Sequence, residues 1–233
     1  MELELRRSSD VEGVRELGDF LRPLISSFVS SLGYEKAPTT SNDTFWTAIN
    51  QRIAETGVPC PKDSHSYRCF QVGSTYSLVC FPNHPLDIQV YIGIYTWLAI
   101  VMDDEVARSL GDFEQFHERF AAGKPQPTVL LENWAELMRS SFDYWDPVIA
   151  SFIVTSSLNY VNAGVMEARS EFRRLTPTKG GQSWPWYLRD KDGVAEAYAY
   201  FTFAKALCPD ISCFIEAIPD LTKFIALTND ILS

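Results

Sequence analysis

Three consecutive acids, Asp103-Asp104-Glu105, close a long apolar run, and Asn229 and Ser233 stand near the end of the 233-residue chain. Carboxylates bind hard cations, and magnesium takes carboxylate oxygen while keeping waters and phosphate oxygens as its other ligands. On a helix, successive residues fan out by about 100°, so the three acids cannot all face one point. Two can converge where a helix end frays. An inward-facing acid after so apolar a run needs a partner for its desolvated charge. Asn229 and Ser233, at i and i+4, share one helix face, where a carbonyl oxygen and a hydroxyl can chelate one hard cation. The plain alternatives are a solvated run of acids and an Asn-Asp helix cap. Arg189 follows Trp184-Pro185-Trp186-Tyr187-Leu188. A guanidinium among aromatics suits a bidentate grip on a diphosphate; the alternative is a surface Arg paired with Asp190 or Asp192. Taken together, the residues point to a metal site split across two distant helices and working on a phosphorylated compound.

Positioning those groups falls to helices. Apolar residues recur at three- and four-residue spacing, and strand signals are scarce. The segment Val11 to Leu32 puts Val14, Leu17, Leu21, Leu24, Ile25 and Phe28 on one face. Asn42 or Asp43 caps a second helix, which Gly57-Val58-Pro59 ends. Ser64 to Cys80 is mixed in pattern and is read as helix from its context. After the break at 81–85, a helix from Leu86 to the acid triplet is apolar nearly all round, which places it at the centre of a bundle. Gly111-Asp112 opens the next helix, and 121–127 is a loop. Another helix spans Val129 to Tyr144. Asp146-Pro147 reads as N-cap and first helical residue of a helix continuing to Arg174. Two further helices, Trp184 to Leu207 and Cys213 to Ser233, flank Pro209-Asp210. The fold class is all-α, a bundle of packed helices in a single domain over 1–233.

Composition narrows the partners. Hydrophobic residues at 46% and aromatics at 13% belong to a globular chain with a sizeable core. A net charge of −10 with no Lys/Arg stripe argues against nucleic acid. An acidic protein can still bind an anionic substrate if metal cations mediate. The five cysteines are an odd count without CxxC spacing, and read as reduced thiols in a cytoplasmic protein. The run from Val90 to Met102 is too short to span a bilayer, so no integral membrane segment is expected. Histidines 65, 84 and 117 are scattered, and no spacing among them suggests a zinc site. Phe70, Tyr91, Tyr95, Trp97, Phe152, Tyr160, Trp186 and Phe201 are core candidates, a minority of which line a ligand cavity.

The order of these features resembles class I terpene synthases, and within them the fungal trichodiene synthase-like family. Tyr95-Thr96-Trp97-Leu98-Ala99-Ile100-Val101-Met102-Asp103-Asp104-Glu105 matches that family's aspartate-rich helix end. Trp184 to Arg189 matches its diphosphate-sensing segment, and Asn229-Asp230-Ile231-Leu232-Ser233 the opening of its second metal motif. The resemblance implies a sesquiterpene cyclase that ionises farnesyl diphosphate with three magnesium ions. Asp103 is implied as the leading metal ligand, supported by Asp104 and Glu105, with Asn229 and Ser233 on another ion. Arg189, Tyr95, Thr96 and Trp186 are expected beside the substrate. Ala107 stands where a DDxxD pattern has its last Asp. The Glu expected four residues after Ser233, and the family's later helices, do not occur in the sequence. The expectation is therefore a C-terminally truncated cyclase, weakly active or inactive, whose open side offers a surface for a homodimer. The alternatives are a prenyltransferase using an allylic diphosphate, or a non-catalytic helical interaction protein.

Overall fold

Residues that cap and break helices mark out the architecture. The structure, a computed structural model, describes residues 18–33, 42–176 and 178–232. No strand occurs among them. Helix α1 covers 18–31, the described part of the helix expected from Val11. Helix α2 (Asp43–Thr56) starts where the Asn42 side chain accepts from the Phe45 N–H, and stops at Gly57, whose φ of 67° needs a residue without Cβ. Helix α3 (His65–Cys80) is capped by Ser64, which accepts from Tyr67 N–H, so the segment with the mixed pattern is helical. Helix α4 is Leu86–Glu105. Then follow α5 (Leu110–Glu114), α6 (Phe116–Ala121) and α7 (Val129–Tyr144). Asp146 caps α8 (Pro147–Ala168) with proline in its first turn, as expected.

Three long helices are shorter than the periodicity predicts. Helix α8 ends at Ala168, because Arg169 is extended (ψ 133°), and α9 (Ser170–Arg173) is a separate turn. The helix expected over Trp184 to Leu207 breaks into α10 (Trp184–Asp192) and α11 (Ala195–Phe201). The last one opens with 3-10 turns at Ile211–Cys213 and Ile215–Ala217 before α12 (Ile218–Leu232). Periodicity of side chains persists across such breaks, since one or two residues leave the helix while the apolar face is kept.

Among the described residues, 18–33 and 227–232 belong to one compact unit and 42–226 to another. In the smaller unit, Ile25 and Phe28 of α1 are half-buried, while Leu21 and Leu24 are exposed. In the larger unit, α4 is the axis. Ile92, Ile94, Tyr95, Trp97 and Leu98 have at most 1% exposure, each contributing about 1.5–3 kcal/mol by leaving water. Helices α2, α3 and α7 pack on α4, and α8 packs on α7, α10 and α11. Helices α3 and α4 cross so closely that a Cβ on Gly73 would lie 2.7 Å from both the Gly93 carbonyl oxygen and the Trp97 nitrogen. Hydrogen bonds fix the register: Trp97 Nε1 donates to the Ser66 carbonyl (3.0 Å), and Tyr160 Oη to the Ala99 carbonyl (2.7 Å). By length and composition, α4 and α8 could each cross a membrane, longer than the run from Val90 to Met102 alone; 67% of the apolar window of α4 is buried inside the bundle instead.

Candidate functional site

The acid triplet at the end of α4 is sorted by direction, as helical fanning requires. Asp103 lines a small cleft with Met102, Val106, Tyr160 and Gly164. Burial, and then the charge of Asp104, push its carboxyl above the usual range. Asp104 turns to α3, where its Oδ2 meets His65 Nε2. Glu105 accepts from Ser109 Oγ at 2.8 Å and pairs with Arg108 at 3.4 Å, tying down the turn that follows. One acid therefore faces the cleft, one faces a neighbouring helix and one braces the helix end.

A second acid shares the field of Asp103. Glu167 is the only charged residue of α8 and stands one residue from its end. Its pKa is raised by burial first, then by Asp192 and Asp103, against the opposing charges of Arg173 and Arg189. Burial, then Asp103 and Asp192, likewise raise the Tyr160 phenol. Asp103, Asp192 and Arg189 thus all act on Glu167, where α4, α8 and α10 end. Sequence reading missed Glu167, although its signal is that of Asp103: an acid at the end of an otherwise apolar helix.

Arg189 sits in the last turn of α10, half-buried, with Nη2 donating to the Ala226 carbonyl at 3.1 Å. Its guanidinium folds back over Gly193, where a Cβ would come within 1.9 Å of Nη1. The next residue, Val194, is buried and holds φ 42° and ψ 18°. A β-branched residue in the left-handed region costs on the order of 1–3 kcal/mol. The break between α10 and α11 therefore holds strain five residues past Arg189, and Gly193 supplies the room for its side chain.

Tyr95 is fully buried, sharing a hydrogen bond with Ser157 Oγ (2.8 Å) and packing on Trp134. Thr96 donates to the Ile92 carbonyl and accepts from Tyr198 Oη, linking α4 to α11. Trp186 is 41% exposed on the helix that carries Arg189. Asn229 lies on the last turn of α12, exposed, in the smaller unit. Ser233 lies outside the described residues. The scattered histidines prove unequal: His65 and Cys69, at i and i+4 on α3, meet Asp104, and the three ligand atoms lie within 4.8 Å of one another. That spacing was the signal in the sequence.

The donors fit a hard cation. Asp103 brings a carboxylate to an otherwise largely apolar cleft, and a carboxyl raised by burial and by a neighbouring acid is relieved when a divalent charge enters.

Comparison with known proteins gives the setting. Residues 60–233 match the family model described as trichodiene synthase (TRI5). The chain is 39% identical over 217 residues to longiborneol synthase CLM1 of Gibberella zeae, covering 91% of this chain and 64% of that protein. It is 40% identical over 186 residues to terpene synthase BipA of Cochliobolus sativus, covering 80% and 57%. An (E)-beta farnesene synthase of Metarhizium brunneum is 28% identical over 222 residues, covering 94% and 66%. The chain spans about three-fifths of the length of the first two of these relatives.

Proposed function

The chain belongs to the trichodiene synthase (TRI5) family, and from that premise we propose that it carries the ionising machinery of a sesquiterpene cyclase acting on farnesyl diphosphate. The observation that supports this most directly is that Asp103 and Glu167 are both raised by burial and by neighbouring carboxylates, with Glu167 in the field of Asp103 and Arg189. A fold keeps repelling, half-desolvated acids together where a cation or a reaction uses them.

Asp103 would be the leading magnesium ligand, with Asp104 beside it and Glu105 bracing the helix end; by family resemblance, Asn229 and Ser233 would hold a further ion. Magnesium, when bound, neutralises negative charge on the diphosphate and makes it a better leaving group. Arg189, oriented by the Ala226 carbonyl and given room by Gly193, grips the same diphosphate. The allylic C–O bond breaks with its electron pair on the leaving oxygen, and the hydrocarbon cation closes a ring. Aromatic walls then keep water from the cation.

Inorganic pyrophosphate with magnesium tests the site without requiring turnover. A ligand at about 100 times its Kd stabilises by about 2.7 kcal/mol, which for a chain of this size raises Tm by about 5–10 °C. The shift is expected only when both are present, and is expected to vanish in Asp103→Asn and Arg189→Ala. A shift that persists in both variants, or no shift in the parent, refutes the assignment; a helical interaction module gives no shift. Incubation with farnesyl diphosphate, followed by hydrocarbon analysis, tests the substrate.

A further inference from the structure

His65, Cys69 and Asp104 converge in a way that the chemistry above does not use. Asp104 Oδ2 approaches His65 Nε2 at 2.5 Å, and Cys69 Sγ approaches the same nitrogen at 3.2 Å. A Cys–His–Asp nucleophilic relay needs the acid and the thiol on opposite ring nitrogens. With both on Nε2, the imidazole cannot pass a proton between them, so a relay is excluded. What remains is one nitrogen, one sulfur and one oxygen facing a common centre, all within 4.8 Å of each other.

That donor set is the one a borderline-soft ion prefers over magnesium. Bonded to zinc at about 2.0–2.3 Å, tetrahedral ligand atoms stand about 3.3–3.7 Å apart. Sulfur and nitrogen are close to that separation already. The oxygen needs to open by about 1 Å, and the exposed side chains of His65 and Asp104 (56% and 45%) have room to turn. Cys69, by contrast, is buried. The frame beneath is stiff, because α3 and α4 are held by the Gly73 crossing and by Trp97 on Ser66.

We propose that His65, Cys69 and Asp104 form a binding site for a zinc-class divalent transition metal, with water completing a four-coordinate shell. Binding stands independently of the cyclase reading. Its consequence rests on that reading: an ion held here draws Asp104 away from Asp103 and opposes magnesium-dependent pyrophosphate binding.

Titration of the purified chain with Co2+ in excess Mg2+, followed by displacement with Zn2+, is the test. One equivalent of Co2+ is expected to give a thiolate-to-cobalt absorption band in the near ultraviolet, removed by Zn2+. Cys69→Ser is expected to abolish the band, and His65→Asn and Asp104→Asn to weaken binding by about ten-fold or more. No band in the parent, or a band of unchanged affinity in His65→Asn and Asp104→Asn, overturns the proposal, since another of the cysteines would then hold the cobalt. Should Cys69→Ser fail to fold, the two exposed variants decide. Zinc binding without any magnesium-dependent pyrophosphate response in the metal-free chain supports this site while refuting the cyclase assignment.

Discussion

Asp103 carries a charge that the fold disfavours. Burial and Asp104 both raise its pKa, so the folded chain holds that proton more tightly than the unfolded chain. The penalty is therefore present above the raised value and fades as pH falls towards about 3.9, the unperturbed value. Asp103→Asn is expected to raise Tm at pH 7 without divalent cations, to lose that advantage in acid, and to lose the pyrophosphate response. Thermal melts across pH check it; a surface acid of no consequence would leave Tm unchanged. His84 works with the opposite sign. Burial lowers its pKa, against a hydrogen bond between Nε2 and the Phe201 carbonyl at 2.9 Å. Its contribution is complete above about pH 6.5 and is lost as pH drops through the lowered value. In His84→Gln, the fall in stability between about pH 6.5 and 5 is expected to be shallower than in the parent, though His117, also lowered by burial, keeps part of the slope.

The crossing of α3 and α4 positions His65 and Cys69 against Asp104, and two glycines there respond differently to a methyl group. Alanine in a helix interior gains about 1 kcal/mol over glycine. At Gly93 an added Cβ meets the tip of Ile49 Cδ1 at 2.6 Å, a side chain with rotamers to use. At Gly73 it meets backbone on α4, which has none. Gly93→Ala is expected to be near neutral. Gly73→Ala is expected to lose about 2 kcal/mol or more, or about 4–8 °C in Tm, and to weaken Co2+ binding. Equal effects from the two substitutions would mean that α3 can slide on α4. The element breaks carry a related lesson. The cap at Asp146, and Asn42 as one of two candidates, were legible because a cap is a local bargain between one side chain and one N–H. The break at Gly193-Val194 was not, because nothing within α10 and α11 alone calls for a strained valine. Its reason lies in how α11 docks on α8 and α4.

The molecule as a whole is acidic, with a net charge of −10, and self-repulsion opposes the compact state. Raising sodium chloride is therefore expected to increase Tm modestly in the parent and in Asp103→Asn alike. Magnesium alone acts partly in this general way. The diagnostic quantity is the extra shift that pyrophosphate adds at constant ionic strength, and melts matched for ionic strength separate the two. With the same charge, an anionic substrate would need cations as intermediaries, a conclusion available from composition before any fold.

Sequence alone determined the all-α class, the central place of α4, the family, and the residue types of the candidate site. These rest on periodicity, capping and ordered motifs, all properties of neighbours along the chain. Tertiary structure decided which acid of the triplet faces the cleft, that Glu167 joins Asp103, and that His65 and Cys69 reach Asp104. Those outcomes depend on the rotation of one helix about its axis and its distance from another. A close glycine crossing and a few interhelical hydrogen bonds set both, and no local pattern encodes them.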